Sequence, residues 1–193
     1  MTRITFSGIA LLVFLAGVAV ADRFTPATGS FVRIDGTSSL HAWTMQGTTI
    51  NGSITAPPIE QWTNATAQSE VVITIPVTSI KSEHAKMDQL MADALKAKAN
   101  PAIRYALTSA VLAKPGETFV LNTRGKLTIA GVTRDVEMQI TGTRDANRTY
   151  KLTGQLPVRM SDYGIKPPTA MLGTIKTGND VKVTFRWVVE ATN

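Results

Sequence analysis

His41 and His84 are the only histidines in a 193-residue chain that contains no cysteine. Thiol nucleophiles and thiolate metal sites are therefore excluded. A zinc site of three or four protein ligands would have to combine both histidines with carboxylates. His84 and Asp88 stand one helical turn apart and could present two ligands on one face, although this spacing more often gives an ordinary surface contact. Asp35, Ser38 or Ser39, and His41 supply the residue types of a nucleophile, base and orienter. They fall on a strand and its turn, however, and no sharp strand-to-helix elbow presents the serine. Neither G-x-G-x-x-G nor G-x-x-x-x-G-K-[ST] occurs, so no phosphate-cradling loop is expected. The residues read as non-enzymatic, with no catalytic group, no metal and no cofactor.

Apolar chemistry remains. Large side chains (Trp43, Tyr105, Phe119, Met138, Phe185) are interleaved with small ones (Ala106, Gly125, Gly142, Gly154) on what reads as the inward face of a sheet. The large residues could simply fill a small barrel. Met87, Met91, Met138, Met160 and Met171 permit another reading, because flexible thioethers line adaptable apolar sites.

The elements that must position these residues are mostly strands. Apolar residues skip one position in Val71-Ile73-Ile75-Val77, Ile103-Tyr105-Leu107, Val136-Met138-Ile140 and Val181-Val183-Phe185-Trp187-Val189. Period two with polar neighbours is what one dry and one wet face require. The expected strands are Phe31–Asp35, His41–Gln46, Thr48–Thr55, Ser69–Ile80, Ile103–Leu112, Thr118–Ile129, Thr133–Thr143, Tyr150–Val158 and Val181–Glu190. Either the first two merge or one lies outside an eight-stranded sheet. Turn signals stand at Lys114-Pro115-Gly116-Glu117, Ala130-Gly131, Asp145-Ala146-Asn147 and Gly178-Asn179-Asp180, and Asn51-Gly52 is a hairpin turn or a bulge. Met87, Leu90, Met91, Ala94 and Leu95 follow helical spacing instead, which predicts one amphipathic helix from Ser82, as N-cap, to Asn100 before Pro101. Short connections favour antiparallel neighbours, and closure into a barrel removes the exposed edges that an open sandwich keeps.

The first twenty-one residues read as an address. Arg3 is followed by the uncharged run Ile9–Val20, and Ala19-Val20-Ala21 is a small-x-small cleavage site. The run is short for a spanning helix, so a retained anchor is the minor reading. Cleavage after Ala21 leaves residues 22–193 as one domain, periplasmic or secreted and free in its compartment. Losing Arg3 takes the formal charge from +6 to +5. The basic residues are spread out, which speaks against a nucleic-acid partner and suits solubility or weak attraction to anionic headgroups.

Several segments resemble the YceI-like family of exported polyisoprenoid-binding proteins. The clearest is Gly125–Val136, G-K-L-T-I-A-G-V-T-R-D-V. Met160–Ile165, M-S-D-Y-G-I, continues through Lys166-Pro167-Pro168 to Thr174-Ile175-Lys176-Thr177-Gly178. Ile75–Ile80 precedes the helix with its Asp88 and Leu90, and Asn100-Pro101-Ala102-Ile103-Arg104-Tyr105 leads into the next strand. The chain departs from many members in having Leu95-Lys96-Ala97 in place of paired aromatics, and Met160 in place of a basic residue. It looks closest to a subgroup with Ser39-Leu40-His41-Ala42-Trp43.

The resemblance implies an all-β fold: a lipocalin-like antiparallel eight-stranded barrel with one amphipathic helix and an apolar lumen. Its partner would be an apolar lipid of isoprenoid or quinone type, held for transport or storage. Walls of that lumen would come from Leu40, Trp43, Ile75, Met91, Tyr105, Phe119, Met138, Met160, Tyr163 and Phe185. A polar head would need donors at the mouth, for which Arg33, Arg104 and Arg159 are candidates. The chain does not specify an oligomeric state, and a dimer is compatible with it. A solidly packed interaction module predicts no lumen and an exposed apolar patch. An enzyme predicts convergent polar groups in a cleft.

Overall fold

The structure, a computed structural model, describes residues 21–57, 69–145 and 147–192. Apart from Ala21, the segment read as a signal peptide lies outside these residues, as does Ala146 of one expected turn. The strands are β1 (Asp22–Pro26), β2 (Phe31–Ser38), β3 (Ala42–Gly47), β4 (Asn51–Ala56), β5 (Glu70–Pro76), β6 (Ala102–Lys114), β7 (Thr118–Ile129), β8 (Val132–Arg144), β9 (Thr149–Arg159), β10 (Thr169–Ala170) and β11 (Ile175–Thr192). One α-helix, α1 (Ala85–Ala94), lies between β5 and β6.

A ring runs β1, β4, β5, β6, β7, β8, β9, β11, and it closes because β1 pairs with both β4 and β11. All of these pairings are antiparallel. β2 continues where β1 stops, along the same edge of β11: Pro26 faces Val189 and Phe31 faces Arg186. β3 pairs with β2 and leads into β4, which pairs with β1. Thus β1–β2 act as one bent strand and β3–β4 as another, giving a closed eight-stranded antiparallel barrel.

This resolves the count of nine expected strands differently from either sequence option. Phe31–Asp35 and His41–Gln46 form a hairpin, and it is His41–Gln46 that merges with Thr48–Thr55. β1 escaped the reading because it is short and ends in Pro26. At the bend after it, Ser30 Oγ accepts from the Val188 N–H at 3.0 Å and the Ala27 N–H donates to Val188 O at 2.8 Å. A buried serine thus supplies hydrogen bonding that the ladder drops there.

Turn chemistry explains the remaining boundaries. Ala130 and Gly131 have φ of 51° and 83°, the handedness of a two-residue hairpin turn, and join β7 to β8. Asn51-Gly52 sits inside β4, with Gly52 at φ 144° pressed against the Val72 carbonyl. Gly178-Asn179-Asp180 is not a turn but a bulge: the β11–β2 register shifts between Thr177 and Val181.

The helix is shorter at both ends than expected. His84, not Ser82, is the N-cap. Lys96 takes a left-handed φ of 53°, and the Ala97 N–H reaches Ala92 O while the Lys96 N–H reaches Asp93 O. That paired arrangement stops the helix before Pro101 can. Ser82 instead ties the approach segment to the helix, through its N–H and Oγ, which donate to Asp88 Oδ1 at 2.7 and 2.8 Å. Those donors, the main-chain N–H first, hold the Asp88 carboxyl below its usual range.

Buried apolar side chains form two clusters. The larger lies inside the ring around Phe24, Phe119, Leu121, Ile140, Trp187 and Val189. The smaller gathers Val77, Leu95, Ile129, Val158, Tyr163 and Ile165 around the end of the helix.

An apolar lumen as candidate functional site

Inside the ring is a cavity of about 580 Å³, bordered almost entirely by apolar side chains. Nine of the ten expected wall residues border it: Leu40, Trp43, Ile75, Met91, Tyr105, Phe119, Met138, Met160 and Phe185. Tyr163 does not. It is 3% exposed, held in the short 3₁₀ turn Met160–Tyr163, and packs into the smaller cluster. Gly164, at φ 64°, closes that turn, so the M-S-D-Y-G-I stretch builds a buttress beside the lumen.

The interleaving of large and small residues has a structural meaning. Trp43 lies directly across from Gly36, Phe119 from Gly142 and Phe185 from Gly154, while Tyr105 lies diagonally across from Gly125. Each ring occupies the space that a Cβ on its glycine would need; on Gly154 it would come within 2.7 Å of Phe185. The missing side chains let the rings lie back against the wall instead of crossing the lumen. Aromatic bulk therefore thickens the barrel and leaves its centre open. Ala106, expected among the inward small residues, faces solvent, as the neighbour of inward Tyr105 must.

The two ends differ. Phe24, Ala56, Ala110, Phe119 and Val189, all buried, shut the end that carries the β6–β7 and β8–β9 turns. At the other end the cavity is bordered by exposed Leu40, His41, His84, Lys86 and Met171. The mouth thus opens between the β2–β3 turn, the start of α1 and the segment leading into β11.

The arginines expected at the mouth are elsewhere. Arg33 bonds Asp35 at 2.8 Å, Arg104 is exposed between Ile103 and Tyr105, and Arg159 lies 3.5 Å from Asp180; none borders the cavity. Arg104 alternates with two wall residues, so its outward phase follows directly. Lys86, His41 and His84 are the basic groups that do border it. Sequence reading missed them as mouth residues, although His41 adjoins Leu40 and Lys86 adjoins Met87 in the chain.

The residue types suited to catalysis are not assembled. Ser38 Oγ donates to the His41 carbonyl at 2.9 Å and accepts from the His41 N–H, leaving the imidazole out of contact. His41 Nδ1 lies 2.7 Å from Ala42 O. Asp35 accepts from Thr44 Oγ1 at 2.6 Å, the main reason its carboxyl is held below the usual range, with Arg33 adding to it. Asp88 serves Ser82. Within the lumen, burial pushes the Tyr105 hydroxyl up.

The family model for the YceI-like domain matches residues 19–189. The chain belongs to this family. Among solved structures, BcnA of Burkholderia cenocepacia is 21% identical at a TM-score of 0.66, covering 82% of this chain and 95% of that one. A polyisoprenoid binding domain from Saccharophagus degradans, implicated in plant cell wall breakdown, is 18% identical at 0.68, covering 89% and 99%. The Campylobacter jejuni YceI protein is 14% identical at 0.56, covering 100% and 99%. These likenesses establish a shared barrel fold. No curated protein matches the chain.

Proposed function

We propose that this YceI-like protein is an exported, non-catalytic binding protein that holds an apolar isoprenoid-type chain in its lumen for transport or storage. The observation that carries the reading is the cavity itself: continuous, apolar, closed at one end and open at the other. Its volume falls in the range of about 300–1,000 Å³ typical of ligand sites. A solidly packed barrel would offer no such space. The polyisoprenoid binding domain of S. degradans supports the choice of cargo class through its shared fold.

Energetics agree with that choice. Burying a methylene yields roughly 0.8 kcal/mol, so a five-carbon isoprene unit contributes about 3–4 kcal/mol gross. Three or four units reach about micromolar affinity once ordering losses are subtracted. No charged anchor is needed, although Lys86, His41 and His84 stand where a polar head would emerge.

The test is native mass spectrometry of protein purified from its own compartment, followed by organic extraction. A stoichiometric prenyl lipid or quinone is the expected result, together with an amino terminus at Asp22. A clean apo mass with no uptake of added isoprenoids would overturn the cargo reading.

A further inference from the structure

The mouth carries a surface of its own kind. Five large apolar side chains are exposed among the described residues. Val72 and Val111, on the barrel wall, are 40% and 42% exposed. Leu40 and Met171, which border the cavity at its mouth, reach 67% and 72%, and Leu172, next in the chain, reaches 109%. Their two segments are tied together: the Ser39 N–H donates to Lys176 O at 2.9 Å, and the Lys176 N–H donates to Ser39 Oγ at 3.1 Å. Met171 and Leu172 both hold left-handed φ, 50° and 54°, which non-glycine residues rarely adopt. The backbone is bent against its preference while Leu172 stays wholly in solvent.

Charge surrounds this tip. The rim segments 38–41, 83–87 and 164–177 contain Lys86, Lys166, Lys176, His41 and His84 against one carboxylate, Glu83. Among the described residues, no carboxylate lies within 4.0 Å of those three lysines. Elsewhere some basic groups are matched, as in Arg33–Asp35, Arg124–Glu137 and Lys126–Asp135. An apolar tip inside a cationic collar suits a surface that is anionic outside and apolar just beneath. Two such collars facing each other would repel, which argues against a second copy of the chain as the occupant.

We propose that the mouth docks face-down on an anionic lipid bilayer. Leu40, Met171 and Leu172 enter the acyl boundary, and Lys86, Lys166 and Lys176 meet headgroup phosphates. An apolar chain could then pass between bilayer and lumen without crossing water; that use rests on the cargo reading, whereas the docking does not.

The test is sedimentation of the chain from Asp22 onward, which holds every described strand and the helix, with phosphatidylglycerol-containing and pure phosphatidylcholine vesicles. Preferential binding to the anionic vesicles, weakened by salt, is expected. Leu172→Asp should lower partitioning about tenfold, and Lys166→Gln with Lys176→Gln about twentyfold. Val111→Asp, on the wall, should leave it unchanged. None of these four residues borders the cavity, so polyprenol uptake in detergent should persist in every variant and reports folding and the lumen separately. Docking without uptake would sink the cargo reading alone. Uptake without preference for anionic vesicles, or equal loss from Val111→Asp and Leu172→Asp, would overturn the docking. So would a concentration-dependent dimer that Leu172→Asp disperses, since the rim would then belong to a second copy.

Discussion

The two ends of the barrel use their aromatic and apolar residues in opposite ways. At the closed end Phe24 and Tyr150 meet edge to face with centroids 5.2 Å apart, and Phe119 approaches the same Tyr150 at 6.2 Å. These contacts join β1, β7 and β9, strands far apart in sequence, into one plug. At the open end α1 has no fully buried residue, and its Met87 and Met91 are only half-covered. Apart from the cluster around Leu95 and Tyr163, large side chains there border the cavity or reach solvent. A container needs this division. Stability belongs where the wall is sealed, and freedom to rearrange belongs where cargo must pass.

Substitutions at the two ends can break that comparison. Phe119→Ala removes the ring that seals the closed end and should lower unfolding free energy by about 3–5 kcal/mol. Met91→Ala, on the helix and in contact with both clusters, should lower it by about 1–2 kcal/mol because the side chain is already half-exposed. Urea melts of both variants read the difference directly. Equal losses would mean that stability is spread evenly and that the open end is no looser than the closed one.

Between the ends, the glycine–aromatic pairs offer a sharper test of openness. Gly154→Val places a branched side chain where the Phe185 ring now rests. The ring must swing into the lumen, at a stability loss of about 1–3 kcal/mol from overpacking. Polyprenol affinity should fall by about tenfold or more, since each displaced methylene contact is worth roughly 0.8 kcal/mol. A titration showing unchanged affinity would mean that the cavity near Phe185 is not where the chain lies.

How far the sequence reveals this division depends on whether periodicity or long-range pairing sets the feature. Alternation along the strands turns Trp43, Ile75, Tyr105, Phe119, Met138 and Phe185 toward the cavity. Leu40, Met91 and Met160 reach it from a turn, the helix and a 3₁₀ turn, none of which has a period-two phase to read, and Tyr163 of that last turn faces the smaller cluster instead. The bend between β1 and β2 was hidden since Ser30 acts across 158 residues, on Val188. The helix end at Lys96 depends on a left-handed residue that is not glycine, so composition gave no sign of it. The basic groups at the mouth come from the helix start and the β2–β3 turn, segments brought together only by closure of the ring. Arg33, Arg104 and Arg159 instead sit on strands, where alternation sends them outward.

The smallest effect concerns how the open end is hinged. Asp88 accepts from the Ser82 N–H and Oγ and lies 3.7 Å from Lys81, while the Lys81 N–H and carbonyl bond Gln46 of β3. This chain of contacts fastens the start of α1 to the barrel rim. Asp88→Asn should weaken it by on the order of 1 kcal/mol, because an amide oxygen accepts these hydrogen bonds less strongly than a carboxylate. The pH dependence has a definite sign. Asp88 is held below its ordinary value near 3.8, so its contribution is fully present above the unfolded-state value and is lost as pH falls through the lower folded one. The gap between the native protein and Asp88→Asn should therefore stay constant from about pH 7 to about pH 5 and close in stronger acid. Amide hydrogen exchange across 82–94 should speed up in the variant while exchange in β7 and β9 does not change, since only the hinge is loosened. Uniform acceleration in both regions would mean that the rim and the sealed end open as one unit, and the contrast between them would fail.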